Sequence, residues 1–296
     1  MDSLLNTMQD PAKLSDPRAT VVPISEDVLR YPQIPGYRML RRLGQGGMAT
    51  VYLATQESLD RPVSIKVMER ETLHDEVSMQ RFENEARTIA KLTHPSVVNI
   101  YEVGRTSDGR MYYSMPFLPN GDLAQRDLRN DDSHIVELLR TLLSALDYAH
   151  ARGIVHRDVK RENILFDADN RPLLADFGIA LSKSDLVRVT TAGLAVGSSG
   201  YMAPEQARGD AVDGRADLYS VGVLAYELLT GDLPFRSSDA LALALMHAQK
   251  PIPPIAAGQT AVAGFHRSRD GQVAGPTLRQ CPADDRSTGP DRPPQR

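Results

Sequence analysis

The chain carries a single cysteine, Cys281, among its 296 residues. One thiol excludes an intrachain disulfide and suits a reducing compartment, so a cytoplasmic setting is expected. No apolar run approaches the ~18 residues of a membrane-spanning helix. The richest stretches, LLRTLLSALDYAH and ALALALM, are interrupted by polar groups or too short. The opening MDSLLNTMQDPAKLSD lacks the basic and apolar regions of a secretory leader. A formal net charge of −4 shows no excess of one sign that would attract nucleic acid or a membrane surface. No internal repeat is visible. What remains is 41% hydrophobic and 24% charged, an ordinary globular balance able to bury a sizeable core.

Residues 1–35 are polar and punctuated by Pro11, Pro17, Pro23, Pro32 and Pro35, which predicts a flexible lead. From Tyr37 the pattern alternates. YRMLRRLG, TVYLATQ and PVSIKVM read as short strands separated by turn signals. MQRFENEARTIAKLTH repeats at helical spacing and sets Phe82, Glu85, Ile89 and Leu92 on one face. VVNIYEVG and MYYSMPFL read as two further strands, with SDG as their turn. Beyond Gly121 helical periods dominate: Ile135, Leu138, Leu139, Leu142, Leu146 and Ala149 form one stripe, closed by Gly153. Short strands follow at ILFD and PLLAD, and DLYSVGVLAYELLTG is apolar enough to be a buried helix. The pattern predicts an α+β fold of two lobes, a small sheet-rich one over residues 37–118 and a larger helical one from 119.

Four motifs carry chemistry. Gly44-Gln45-Gly46-Gly47-Met48-Ala49-Thr50-Val51 lies between two strands. Its glycines would let the backbone close over phosphates and offer N–H donors, although a plain hairpin turn fits as well. Lys66 sits on an apolar strand. It can be a cation for nucleotide phosphates held by Glu85, or a lysine that snorkels to the surface. HRDVKREN follows a helix and precedes a strand: Asp158 can take a proton from a hydroxyl, Lys160 can neutralise a moving phosphoryl group, and Asn163 can reach a metal ion. In ADFG, Asp176 is a carboxylate placed to hold Mg²⁺ between phosphates, with Phe177 as its apolar anchor.

In this order and spacing the glycine loop, VSIK, HRDVKREN, DFG and MAPEQ resemble the protein kinase fold. Phrases such as GGMATVYLA, ADFGIA and YMAPEQARG are similar to those of bacterial Hanks-type serine/threonine kinases, over residues 35–254. The resemblance implies a bilobal architecture, with a small antiparallel β lobe carrying one helix and a larger helical lobe. It also implies transfer of the ATP γ-phosphoryl group to protein Ser or Thr hydroxyls, with Mg²⁺ or Mn²⁺. Leu43, Val51, Ser64 and Leu165 would sandwich the adenine, and the backbone from Pro116 through Phe117 to Leu118, after the gatekeeper Met115, would hydrogen-bond it. Arg157 would meet a phosphorylated activation loop bearing Thr190 and Thr191. Ser198 would take the place of the loop threonine that contacts Asp158 and Lys160. Gly178 completes the DFG turn, and Asp217 would brace the catalytic loop. Departures are Ala49 for a third glycine, Ser64 for alanine, and Arg161 for proline. Expected partners are ATP and Ser/Thr-bearing protein substrates, without nucleic acid or a membrane span; pairing into a dimer is left open.

After Ile255 the resemblance stops. The family continues with two amphipathic helices and an arginine that pairs with the glutamate of MAPE, here Glu205. This chain has AAGQTAVAGFHRSRDGQVAGPTLRQCPADDRSTGPDRPPQR, in which no helical stripe can be drawn. Such composition is expected to be disordered. Reading the last two bases of each codon from Ala263 with the first base of the next allows QAFIDREMARSPDQRYANARQMIGQLG. That text has helical apolar spacing, a polar turn and a suitably placed arginine. The expectation is a kinase domain over 36–254, its helical lobe (119–254) truncated, followed by a frameshifted tail over 255–296. The competing function is a nucleotide-binding, weakly active remnant.

Overall fold

The computed structural model describes residues 31–70, 72–73, 75–129, 131–178, 198–255, 266–267 and 273–274. A five-stranded antiparallel sheet has the order β1-β2-β3-β5-β4. Its strands are β1 (Tyr37–Gln45), β2 (Ala49–Gln56), β3 (Arg61–Met68), β4 (Glu102–Arg105) and β5 (Met111–Pro116). The β4–β5 turn is SDG as the sequence predicts, with Gly109 at φ +84°, a conformation that favours glycine. The expected strand VVNIYEVG is shorter. Only Glu102–Arg105 joins the sheet, because Val98 N–H instead donates to the Leu174 carbonyl, and Leu174 N–H to that of Ser96. This detour ties the small lobe to the large one.

Helix α1 (Glu76–Ile89) is capped by Asp75, whose carboxylate accepts from Ser78 N at 2.7 Å. It buries Phe82, Ala86 and Ile89 against one face of the sheet. The other face is covered by the chain entering β1. Ile34 is 4% exposed and Tyr31 lies edge-on to Tyr52 at 5.6 Å. This corrects the expected lead: residues 31–35 belong to the small lobe, because their two apolar side chains cap Tyr52, Val63 and Ile65. Residues 1–30 lie outside the described ones.

The large lobe is built on α2 (Asp132–His150), whose stripe Ile135, Leu138, Leu142, Ala145, Leu146 and Ala149 is buried. A two-stranded ribbon, β6 (Ile164–Phe166) with β7 (Pro172–Leu174), packs above it. A short α3 (Pro204–Arg208) leads into α4 (Gly214–Thr230), which is buried on nearly every side, and α5 (Ala240–Gln249) follows. One continuous core joins the lobes, running from Phe82 and Met115 through Leu142 to Leu224. Truncating such a fully buried leucine costs ~2–5 kcal/mol. Among the described residues no helix is long and apolar enough to cross a membrane. Within the stretch expected to be unstructured, His266–Arg267 pairs antiparallel with Val273–Ala274; the remainder beyond Ile255 lies outside the described residues.

His247 of α5 is buried beneath the 198–201 turn, between Tyr219 and Phe235. Its Nδ1 meets the Tyr219 hydroxyl at 2.8 Å. Its Nε2 has no well-formed hydrogen bond, although the Gly200 backbone is near enough to favour the protonated ring slightly. Burial pushes the imidazole down to about 4. A histidine depressed on folding binds fewer protons native than unfolded, so its stability contribution is complete above ~6.5 and is lost as pH falls toward 4. Urea titrations at pH 7 and pH 4.5 should show wild type losing about 2 kcal/mol more than His247→Phe. Equal losses in both proteins would contradict this placement.

Candidate active site

The site hangs from one buried carboxylate. Asp217, in the first turn of α4, is fully buried. Its Oδ2 accepts from His156 N at 2.8 Å and from His150 Nε2 at 2.7 Å, and its Oδ1 accepts from Arg157 N at 2.7 Å. Arg157 is thereby held at φ +68°, which turns the chain sharply before Asp158. Gln206 of α3 donates to the Arg157 carbonyl at 2.9 Å. His156 lies against Phe177 at 4.5 Å and bonds the Ala175 carbonyl through Nε2, while Gly178 N donates to its carbonyl. The HRD and DFG segments are therefore locked to each other and to α4. Close packing permits this: a Cβ on Gly214 would stand 2.6 Å from His150 Nδ1.

Asp158 is bonded from two sides. Lys160 Nζ reaches its Oδ2 at 2.8 Å, and Asn163 Nδ2 donates to the same oxygen at 2.9 Å and to the Asp158 carbonyl at 2.7 Å. Asn163 Nδ2 being so used, its Oδ1 is the atom left for a ligand. Ala175 N donates to the Asn163 carbonyl at 2.8 Å, so Asp158, Asn163 and Asp176 share one scaffold.

Asp176 adopts φ +59°, unusual for a residue with a side chain. Burial pushes its carboxyl up, but the charge and hydrogen bond of Lys66 and the Tyr113 hydroxyl outweigh this and hold it below its ordinary range. Lys66 Nζ lies 2.8 Å from Asp176 Oδ2. This corrects the expected Lys66–Glu85 pair. Glu85 is half-buried on α1, and Lys66 turns to the Asp176 carboxylate. Glu83 faces outward and pairs with Arg87. Tyr113, which bonds Asp176 Oδ1, went unnoticed in the sequence. Its signal was its register: it stands directly across from Lys66.

The glycine turn closes with Gly46 N donating to the Ala49 carbonyl at 2.9 Å, and Gly44 faces Val51 across the hairpin. Gln45 ends β1, Gly47 forms the turn, and the Met48 carbonyl accepts from Glu69 N. Ser64 pairs with Met115 across the sheet, both buried, and Val51, Leu165 and Leu118 are partly buried near them, with Leu43 at the exposed edge. After Pro116 the strand ends, and among the described residues the Phe117 and Leu118 backbone groups have no backbone partner. That edge, the glycine turn and Lys66 fit a nucleotide. Asp176 and Asn163 offer hard oxygen donors that fit a divalent ion. Among the described residues no cluster of three His, Cys, Asp or Glu could hold a metal by itself, so an ion here needs oxygens from its phosphate partner.

Arg161, which departs from the usual proline, is tied into the large lobe. Its guanidinium bonds the Leu123 and Arg126 carbonyls, at 3.1 and 2.7 Å, and Glu227 Oε1 at 3.3 Å. Tyr201 donates to the other Glu227 oxygen. Ser198 begins the 198–201 turn, Glu205 starts α3, and Thr190 and Thr191 lie outside the described residues. Replacing Asp217 would orphan three donors, one buried and two partly buried, each worth ~1–3 kcal/mol. Asp217→Ala should therefore lower the unfolding free energy by about 3 kcal/mol or more, whereas Asp158→Ala should change it by less than about 1.5 kcal/mol. Urea denaturation of both variants checks the contrast.

Residues 37–262 match the family model described as protein kinase domain. The serine/threonine-protein kinase pkn3 of Myxococcus xanthus is 40% identical over 228 residues, covering 74% of this chain and 42% of its own length. The serine/threonine-protein kinase PknB of Mycobacterium leprae is 39% identical over 219 residues, 72% of this chain and 35% of its own. The chain thus spans less than half the length of these relatives. The crystal structure of the Mycobacterium tuberculosis PknI kinase domain superposes with a TM-score of 0.57 at 31% identity, over 68% of this chain and 76% of that one. With motif order, lobe architecture and family match in agreement, this chain belongs to the protein kinase domain family, alongside bacterial Hanks-type serine/threonine kinases.

Proposed function

We propose that the chain transfers the γ-phosphoryl group of ATP to serine and threonine hydroxyls of proteins, with Mg²⁺ as its metal. The observation that carries this reading is the shared scaffold of Asp158, Asn163 and Asp176, completed by Lys66 and Lys160. In the reaction the substrate oxygen bonds the γ-phosphorus, the bond to the β-phosphate oxygen breaks, and ADP leaves. Asp158 accepts the hydroxyl proton. Lys160, 2.8 Å from Asp158, neutralises charge on the moving group, and Lys66 holds the α- and β-phosphates. Asn163 and Asp176 would hold the metal, which when bound offsets phosphate charge. Leu43, Val51, Ser64 and Leu165 would clasp the base, and Glu85 would support α1. Catalysis is then placement and electrostatics.

An activation-loop phosphate at Thr190 or Thr191 would add about −1.5 to −2 charge for Arg157 to bind. The complete catalytic set speaks for activity over a nucleotide-binding remnant, and the cytoplasm supplies ATP, a reducing milieu and protein substrates.

We also propose that the text after Ile255 is out of frame. Leu241 and Leu245 on α5 are 61% and 47% exposed and Ile252 is 41% exposed, an apolar stripe where the alternative reading supplies amphipathic helices. Among the described residues the Glu205 carboxylate makes no hydrogen bond or ion pair, and that reading supplies an arginine.

Three outcomes test these readings. Lys66→Met should reduce phosphoryl transfer from radiolabelled ATP by about 10²–10³-fold with an unchanged circular dichroism spectrum; near-wild-type rates would refute the assignment. Mass spectrometry of active protein should find phosphate between residues 182 and 199. The frame-restored chain should melt higher than the present one by several degrees; equal melting temperatures would remove the reading-frame argument.

A further inference from the structure

Tyr113 stands directly across from Lys66 in the β3–β5 register, so pleating sends both side chains to one face of the sheet. Its ring is 3% exposed and tilts against Phe82 of α1, with centroids 6.2 Å apart. The Lys66 ammonium lies 6.0 Å from the ring centre. The hydroxyl donates to Asp176 Oδ1 while Lys66 takes Oδ2. The ring also walls a small cavity beside Met115 and Phe177. Packing alone explains the ring but not the hydroxyl, since a phenylalanine would meet Phe82 equally well. A buried hydroxyl costs free energy unless it is bonded, and its bond here is to Asp176.

We propose that Tyr113 is a positioning residue for the metal-binding carboxylate. The backbone of Asp176 is fixed at φ +59°, but its side chain keeps torsional freedom. The phenol removes that freedom by engaging one oxygen, so the other is presented toward Lys66 and the phosphate side of the site. This rests on Asp176 being a metal ligand. Partners that orient a ligating carboxylate typically change metal affinity by ~10–100-fold when removed.

The test is Tyr113→Phe, which keeps the ring and removes the bond. Binding of a non-hydrolysable ATP analogue is measured by calorimetry in EDTA and across a Mg²⁺ series. The dissociation constant in EDTA should stay within about twofold of wild type, while the Mg²⁺ concentration for half-maximal tightening rises about tenfold. In turnover, the KM for Mg²⁺ should rise in parallel, with kcat at saturating Mg²⁺ within about threefold. Tyr112→Phe, whose hydroxyl bonds Glu102 on the opposite face, should change neither quantity. If Tyr113→Phe melts far below wild type, Tyr113→Met decides: it too lacks the hydroxyl and must show the same Mg²⁺ shift. Unchanged Mg²⁺ dependence in these variants overturns the proposal, as does equal weakening with and without metal. Asp176→Asn separates the two levels, because wild-type Mg²⁺ dependence there would refute the metal assignment itself.

Discussion

A carboxylate with no exposed surface, Asp217, fixes the geometry from which the rest of the site follows. A carboxyl group buried in that position is tolerable only because three donors surround it, two of them the backbone N–H groups of His156 and Arg157. Those two bonds hold Arg157 in a left-handed conformation, and that turn delivers Asp158 to the cleft. Because α4 is buried on nearly all sides, the anchor cannot drift. A rigid helix therefore sets the loop, the loop sets Asp158, and the His156–Ala175 and Asn163–Ala175 bonds pass the same positioning to Asp176.

The small lobe contributes a weaker, more adjustable contact. Lys66 and Asp176 form a close pair, yet both side chains keep about a fifth to a quarter of their surface exposed. Such a pair contributes only ~1 kcal/mol or so, far less than a sealed one. Phosphates and a metal carry larger charges and can replace it. The two arrangements differ physically: Asp158 is placed by a loop anchored on a buried carboxylate, whereas Lys66 and Asp176 meet through a partly exposed pair.

Much of this was legible in the sequence. Helices α1 and α2 were marked by apolar stripes, α4 by an almost continuous apolar run, and the candidate site residues by motif order. What escaped was whatever depended on long-range choices between equivalent partners. For Lys66 the sequence pattern singled out Glu85 because it shares a helix face with Phe82; the fold sets Asp176 against the ammonium. Tyr113 read as an ordinary strand aromatic until its register against Lys66 was known. Val97 and Val98 have strand-like side chains, but Val98 N–H donates to the Leu174 carbonyl of β7 and Val97 N–H to that of His94, a tertiary preference that no local pattern encodes. Tyr31 and Ile34 sit among prolines, which hid their packing on the sheet. Arg161 stood out only as a departure from proline, and its bonds to Leu123, Arg126 and Glu227 depend on the fold.

The central claim is that Asp158, held in place by Asp217, receives the proton of a serine or threonine hydroxyl during transfer from ATP. Phosphoamino-acid analysis of protein labelled with γ-³²P-ATP, for wild type beside Asp158→Asn, tests it most directly. The account predicts phosphoserine and phosphothreonine in the wild type and at least a ~100-fold loss of label in the variant. Label on tyrosine alone, or label that persists undiminished in Asp158→Asn, would contradict it.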